Sequence, residues 1–171
     1  HLTGSDRICE AYLNNLTDNV DLIINLQGDM PNIKPSSISK LEKLMREKKS
    51  EIGTLASVLT SKDEIKDPNI VKVIVDEDLN DNSFIYAKDF FRIKKDLRNE
   101  KIYHHIGIYA FTNVALTKYV KLSRSKLEIE RKLEQMRAIE NNIKIMVGLS
   151  DSSPLSVDTK EDLKKVTEEM N

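Results

Sequence analysis

The chain has 171 residues, 39% of them hydrophobic, a length that suits one domain with a sizeable core. Its 27 Lys and Arg balance 28 Asp and Glu, so the net charge of -1 provides no overall basic field for nucleic acid. We expect no membrane partner, because no apolar run approaches the roughly 20 residues of a membrane span and no signal peptide opens the chain. The lone cysteine, Cys9, excludes an internal disulfide and predicts a cytoplasmic protein.

The first predicted element is an amphipathic helix. Five apolar residues recur at helical spacing: Ile8, Cys9, Tyr12, Leu13 and Leu16. Gly4 and Ser5 lie just before this helix, and Arg7 lies on its first turn. A helix N-terminus offers free N–H groups to an anion or a base edge. The alternative is that Ser5 or Asp6 simply caps the helix.

Residues 20–26 form a nearly continuous apolar run, which predicts a central strand buried on both faces. Gln27, Gly28 and Asp29 follow, and Pro31 prevents the strand from continuing. In open α/β sheets ligands bind at the carboxyl ends of strands, so Asp29 is well placed to hold a divalent cation against a phosphorylated substrate. The alternative is an ordinary turn that Asp29 caps.

The middle of the chain alternates between helix and strand patterns. We predict a helix over residues 35–49, strands over 54–60 and 70–75, and a hairpin return over 84–86. Residues 61–68 read as a polar connector. Residues 89–101 are charged and lack periodicity, so we expect an exposed loop there. Its Phe90, Phe91 and Ile93 are candidates for packing against a partner chain.

Residues 103–112 alternate in character, as expected of a strand. One predicted face is apolar and consists of Ile106, Ile108 and Ala110. The other face carries His105 and Tyr109, which are candidates for contact with a ligand. The alternative is that both are half-buried strand residues with local partners.

The last third of the chain is predicted to be mainly helical. We predict helices over residues 113–122, 127–139 and 160–170, and a strand over 143–147. Glu134 and Gln135 can reach into a site from the second of these helices, or they can be solvated surface. Thr159 is the expected N-cap of the last helix, and Asp158 before it has capping chemistry as its alternative. Three residues of that helix are expected to face inward: Leu163, Val166 and Met170.

Together, the predicted elements run α, β, α, β, a β hairpin, β, α, α, β, α. This order predicts a single α/β domain with three layers and a mixed β-sheet.

Several strings, taken together and in order, resemble the 3-deoxy-D-manno-octulosonate (Kdo) cytidylyltransferases, also called CMP-Kdo synthetases. The strings are HLTGSDRICEA, NLQGDMP, PNIVKVIVD, HHIGIYAFT, LEQMRAIENN and SVDTKEDL. The resemblance covers essentially the whole chain. It implies a nucleotide-diphospho-sugar-transferase-like α/β fold that works as a homodimer. It also implies transfer of CMP from CTP to the anomeric hydroxyl of Kdo, with release of pyrophosphate, for lipopolysaccharide biosynthesis.

The resemblance also implies roles for individual residues. Asp29 and Asp158 would be catalytic and would hold magnesium. Four residues would contact the nucleotide, Gln27 touching either nucleotide or sugar: Gly4, Ser5, Arg7 and Gln27. Four would line the sugar pocket: His105, Tyr109, Glu134 and Gln135.

The sequence departs from the family pattern in several places, including His104, which stands where a basic residue is common. The family's first βαβ nucleotide-binding unit precedes the matched region, so we expect residues 1–171 to be one N-terminally truncated catalytic domain that is inactive alone. Lys88 stands where an arginine is usual, and Arg131 stands where a glutamate is common. Two alternatives stay open: a cytidylyltransferase for another 2-keto acid sugar, and a non-catalytic remnant that acts as a dimer or binding module.

Overall fold

In the part of the chain that the structure describes, six strands form one mixed sheet with helices on both faces. The structure, a computed structural model, describes residues 1–15, 20–157 and 159–170. Its helices are α1 (Gly4–Asn15), α2 (Pro35–Lys48), α3 (Lys62–Lys66), α4 (Asn113–Tyr119), α5 (Lys126–Arg131), α6 (Met136–Glu140) and α7 (Lys160–Met170). Its strands are β1 (Leu22–Asn25), β2 (Ile52–Ser57), β3 (Lys72–Val75), β4 (Phe84–Phe91), β5 (Lys101–Thr112) and β6 (Met146–Leu149). None of the helices in the described ranges is long and apolar enough to cross a membrane.

The strand order is β1-β5-β2-β6-β4-β3, and β3 also pairs with β5. Only β2 and β6 run parallel, and the other described pairs are antiparallel. The 12-residue strand β5 pairs with β3 near its start, with β2 along its middle and with β1 at its end. This confirms the predicted mixed sheet.

The alternation of β5 divides the core between the two faces of the sheet. Ile106 and Ile108 pack in one cluster with Leu41 of α2. On the opposite face, Phe111 packs in a cluster with Leu116 of α4, and this cluster also includes residues of α1 and α6. The three-layer α/β architecture is therefore confirmed, since a sheet with two apolar faces needs helices on both.

Two glycines allow α2 to pack closely on the parallel strands. A Cβ added at Gly53 would lie 2.5 Å from Phe84 Cζ and 2.6 Å from Met45 Sδ. One added at Gly148 would lie 2.6 Å from Leu44 Cδ1. All three distances are below van der Waals contact, so a larger residue at either position would displace these neighbouring side chains.

The N-terminal predictions require two corrections. Strand β1 is not central: it forms the edge of the sheet, pairs with β5 alone in the described chain, and has three half-buried residues among its four. Helix α1 begins at Gly4 and is capped by Thr3, whose Oγ1 accepts the N–H of Asp6 at 3.3 Å. Asp6 Oδ2 in turn accepts the N–H of Thr3 at 3.1 Å, so neither Ser5 nor Asp6 is the N-cap.

The stretch predicted as an exposed loop over 89–101 begins inside a strand. Strand β4 extends to Phe91, and the side chains of Phe90 and Phe91 are buried in this chain. They are therefore not available to a partner chain, and only Ile93 is exposed. The polar connector over 61–68 contains the short helix α3.

The helix predicted over 127–139 is two helices, α5 and α6, separated at Lys132, which has φ 55°. Strand β6 begins at Met146, three residues later than predicted. In α7 only Val166 faces the core, since Leu163 and Met170 are exposed. Thr159 is the cap, because its Oγ1 accepts the N–H of Asp162 at 3.2 Å. Leu16 of the predicted α1 stripe and Asp158 lie outside the described residues.

Candidate active site

A cavity of about 570 Å³ lies beside the carboxyl end of β1. Six of the predicted site residues line it: Gln27, Asp29, His105, Tyr109, Glu134 and Gln135. They come from three places in the chain, namely the loop after β1, strand β5, and residues 132–135 between α5 and α6, here called the α5–α6 bend. The sheet thus brings together residues that are more than 100 positions apart in the sequence.

The predicted nucleotide residues are only partly brought to this cavity. Ser5 lines a smaller cavity of about 60 Å³, and four residues line both: Gln27, Tyr109, Glu134 and Gln135. Gly4 is also close, because a Cβ added there would lie 3.4 Å from Asn25 Nδ2 and 4.0 Å from Glu134 Oε2. Arg7 is exposed and lines neither cavity in the described part of the chain.

Three of the residues that line the larger cavity carry buried oxygens without a hydrogen-bond partner among the described residues. They are Asp29 Oδ1, Tyr109 OH and Glu134 Oε1. Buried polar side-chain atoms are nearly always paired with protein or ordered water. Their convergence therefore indicates a place for a polar ligand, water or ion. Asp29 Oδ1 is a hard oxygen of the type that Mg²⁺ prefers, so Asp29 fits a magnesium ligand.

Burial keeps His105 neutral, and Thr54 fixes its tautomer. Its Nε2 lies 3.0 Å from Thr54 Oγ1, and the Thr54 hydroxyl lies 2.7 Å from the carbonyl of Ile108, to which it donates. Because the hydroxyl proton is used there, the Nε2–H of His105 donates to Thr54. Burial, together with the neighbouring His104, lowers the pKa of His105 to about 3. The ring therefore offers the Nδ1 lone pair and no positive charge near pH 7.

Tyr109 stays a hydrogen-bond donor over the whole physiological range. Burial raises the pKa of its phenol well above the usual value, and the neighbouring Tyr119 and Glu134 raise it further. Its ring lies 5.4 Å from the ring of His105 and 6.1 Å from that of Phe111. Thus His105 has a local partner, as its alternative interpretation supposed, whereas the Tyr109 hydroxyl has none in the described chain.

The α5–α6 bend that carries Glu134 and Gln135 is braced from two sides. The Tyr119 hydroxyl donates to the carbonyl oxygen of Glu134 at 2.7 Å. Across the bend, the Arg137 guanidinium donates to both carboxylate oxygens of Glu128 at 2.8 and 2.7 Å, and both side chains are at most 2% exposed. The two helices can therefore not separate without breaking a buried bidentate ion pair.

Residues 150–157, here called the C-terminal strap, cover one side of the cavity. The N–H of Val157 donates to the carbonyl of Asp29 at 2.8 Å, and that of Leu155 to Asn32 Oδ1 at 3.1 Å. Ser153 Oγ lies 3.0 Å from His104 Nδ1. The sequence offered no signal for this strap or for Tyr119, and only the polar Thr54 within an apolar strand hinted at a role. No group of three or more potential metal ligands is found within the described ranges.

A family model described as cytidylyltransferase matches residues 1–145. The chain belongs to the cytidylyltransferase family. The chain is 41% identical over 167 residues to a protein of Bartonella tribocorum and 42% identical over 168 residues to one of Bartonella quintana. A relative from Thermodesulfovibrio yellowstonii is 40% identical over 173 residues. All three are named 3-deoxy-manno-octulosonate cytidylyltransferase. The alignments cover 95–97% of this chain and 68% of each relative.

The chain also matches solved structures. A CMP:2-keto-3-deoxy-manno-octonic acid synthetase complexed with CTP superimposes with a TM-score of 0.85 at 31% identity, covering 99% of this chain and 68% of that one. An apo UDP-glucose pyrophosphorylase matches with a TM-score of 0.64 at 11% identity, covering 97% and 59%, which shows the fold alone. The resemblance and the fold class inferred from the sequence are confirmed.

Proposed function

We propose that the cavity is where CMP is transferred from CTP to the anomeric hydroxyl of Kdo, with release of pyrophosphate. The observation that carries the proposal is the convergence of the three unpaired oxygens of Asp29, Tyr109 and Glu134 in one cavity. A polyhydroxylated sugar supplies both donors and acceptors for such groups. The relatives named for Kdo favour this sugar over other 2-keto acid sugars.

This transfer depends on aligning the anomeric hydroxyl with the α-phosphorus and on neutralising the phosphate charge, more than on covalent catalysis by the protein. Tyr109, whose pKa is raised, donates a hydrogen bond to a sugar oxygen, while the Glu134 carboxylate accepts one from a hydroxyl. His105 Nδ1 accepts a further hydroxyl, because its Nε2–H is committed to Thr54. These contacts orient the anomeric oxygen toward the α-phosphorus of CTP, which Gly4, Ser5, Arg7, Gln27 and further chain would bind.

Asp29 and Asp158 are the proposed magnesium ligands. Two observations support this. Asp29 Oδ1 lacks a partner in the described chain, and the N–H of Val157, which precedes Asp158 in the sequence, donates to the Asp29 carbonyl. When bound, the ion would lower the pKa of the attacking hydroxyl and screen the phosphate charge. We also propose that the protein is a cytoplasmic homodimer and that residues 1–171 alone are inactive.

The test is pyrophosphate release from CTP and Kdo by the complete protein at graded magnesium concentrations. We expect Asp29→Asn and Asp158→Asn each to lower kcat/KM by about 100-fold or more. Each substitution removes a negatively charged ligand of the proposed magnesium ion, which would stabilise the transition state. Asp21→Asn is the control, because Asp21 is exposed, pairs with Arg46 and does not line the cavity in the described part of the chain. Unchanged turnover in either cavity variant, or preference for another 2-keto acid sugar in a substrate panel, contradicts the proposal.

A further inference from the structure

In the described part of the chain, the cavity is lined by more acidic side chains than Lys and Arg side chains. Among the described lining residues, three are acidic, namely Asp29, Glu64 and Glu134, whereas the Lys and Arg side chains are only Arg92 and Lys132. Kdo is a sugar acid, and burying its carboxylate beside these acids without a cation would be costly. The cavity must therefore place the carboxylate near Arg92 or Lys132, or on a bound metal ion.

Lys88, which stands at the position of a usual family arginine, does not fill this role. Its Nζ lies 3.0 Å from Asp76 Oδ1 and 4.0 Å from Glu100 Oε2. It does not line the cavity in the described part of the chain.

Arg92 is held by both its side chain and its backbone. Its Nη1 donates to the carbonyls of Pro68 and Asn69 at 3.1 and 2.8 Å. Its own carbonyl accepts from the fully buried Lys72 ammonium at 2.6 Å. The same ammonium donates to the carbonyls of Asp67 and Ile70, so residues 67–70 and Arg92 form one anchored unit.

This anchoring leaves three of the five guanidinium N–H groups of Arg92 without a partner in the described chain. Among the described residues, Arg92 Nε and Nη2 have no hydrogen-bond partner, although Arg92 lines the cavity. A guanidinium with one amino group fixed keeps the planar fork that matches a carboxylate with two parallel hydrogen bonds. Because these hydrogen bonds already hold the Arg92 side chain, binding a carboxylate costs less side-chain entropy.

Arg131 connects this unit to the second cation. Its Nη1 donates to the carbonyl of Phe90 at 2.7 Å and also to Asp89, two and three residues before Arg92. Lys132 follows Arg131 directly, lines the same cavity and has no ion pair within the described ranges. The end of β4 and the α5–α6 bend are thus tied together, each with one cation on the cavity wall.

We propose that Arg92 binds the carboxylate of the acidic sugar substrate, with Lys132 as a second and less constrained positive charge. This inference rests on the proposed function, since it assigns a specificity-determining residue to the same cavity. It makes Arg92 the group that distinguishes a sugar acid from a neutral sugar.

The test measures equilibrium binding of Kdo, and of its C1 carboxamide, to the complete protein by calorimetry in the presence of magnesium. For Arg92→Gln we expect the Kd for Kdo to rise by about 10- to 100-fold, as for loss of a charge-assisted bidentate contact, while the Kd for the carboxamide changes by less than about threefold. Arg98→Gln is the matched control, because Arg98 is exposed and pairs only with Asp96 in the described chain.

An equal loss for both ligands assigns Arg92 a purely structural role and overturns the inference. Arg92→Lys guards against a folding defect, since it keeps the charge: we expect intermediate Kdo affinity and unchanged carboxamide affinity. Unaltered Kdo affinity in both variants, or no Kdo binding by the unsubstituted protein, also overturns it. Pyrophosphate release is measured separately, so intact Kdo binding without turnover contradicts the proposed function and not the role of Arg92.

Discussion

Thr54 fixes which ring nitrogen of His105 is free to accept a hydrogen bond in the cavity. A histidine on a strand face suggests an acid–base group, but here the Thr54 hydroxyl accepts the Nε2–H while donating to a backbone carbonyl. Burial then removes the positive charge, since the pKa falls to about 3. His105 is therefore a fixed hydrogen-bonding group and not a general acid.

The low pKa of His105 predicts how stability depends on pH. Between about pH 3 and 6.5 the unfolded chain binds a proton that the folded chain excludes, so the free energy of unfolding falls as the pH drops through this range and is fully restored above it. The contribution of one proton is at most about 1.4 kcal/mol per pH unit. Urea unfolding of the wild type and of His105→Gln between pH 4 and 8 measures it.

We expect the variant to lose less stability on acidification than the wild type. Ring NMR of His105 provides an independent control, because its signals should stay those of the neutral Nε2–H tautomer from pH 5 to 8. A titration of His105 near pH 6.5 contradicts the prediction.

Among single residues, the sequence predicted which side chains line the cavity better than it predicted their contacts. Asp29, His105, Tyr109 and Glu134 were identified from strand ends, strand alternation and the family resemblance, and all four line the cavity. Their partners could not be predicted, because Thr54 and the C-terminal strap reach them only through the three-dimensional sheet. Asp158 remains a prediction.

At the scale of elements, the α5–α6 bend shows why periodicity misleads. Apolar residues continue at helical spacing through residues 127–139, yet Lys132 has a positive φ and ends α5. Tertiary contacts stabilise this interruption, namely the Tyr119 hydroxyl on the Glu134 carbonyl and the Glu128–Arg137 pair. The break turns Glu134 and Gln135 toward the cavity, and no local sequence pattern contains that information.

Tyr119→Phe tests this bracing directly. It removes only the hydroxyl that holds the Glu134 carbonyl, so we expect the KM for Kdo to rise by roughly 2- to 10-fold, as for one lost hydrogen bond, with the KM for CTP unchanged. Steady-state kinetics of the complete protein provide the measurement. The matched control is Tyr103→Phe, since that hydroxyl is also hydrogen-bonded to the backbone, accepting the N–H of Leu79 at 2.9 Å, and Tyr103 does not line the cavity. Equal effects of the two substitutions would count against a positioning role.

The packing of α2 on β2 and β6 depends on Gly53 of β2 and Gly148 of β6. We expect Gly53→Ala and Gly148→Ala each to lower the free energy of unfolding by about 1–3 kcal/mol, because the added methyl overlaps Phe84 or Leu44. Urea denaturation measures the loss. Gly28→Ala is the control, since nothing lies within 4 Å of a Cβ there, and it should change stability by less than about 0.5 kcal/mol. A similar loss in all three variants would argue against a packing cause.

At the scale of the whole molecule, the order of elements predicted the fold class, but not the place of each strand. Residues 20–26 read as a central strand because they are apolar, whereas β1 lies at the edge next to β5. Hydrophobicity reports burial and not the number of paired neighbours. Non-local pairing, such as that of β5 with three strands, has no signature in a single sequence.

We expect residues 1–171 to be inactive alone. The chain spans 68% of the length of its named relatives, and the resemblance implies a further unit that holds the triphosphate. We expect no pyrophosphate release from CTP and Kdo by residues 1–171, and turnover by the complete protein. Circular dichroism of the 171-residue chain controls for folding, and turnover by that chain contradicts the prediction.

The position of β2 between β5 and β6 has a consequence for biosynthesis. Both neighbours of β2 follow it in the sequence, and the second of them, β6, ends only at Leu149. A ribosome therefore releases β2 long before either edge can be covered, and the sheet closes only when most of the chain has been translated. During that interval the emerging polypeptide exposes an apolar strand, so we expect chaperones that shield such segments to bind it.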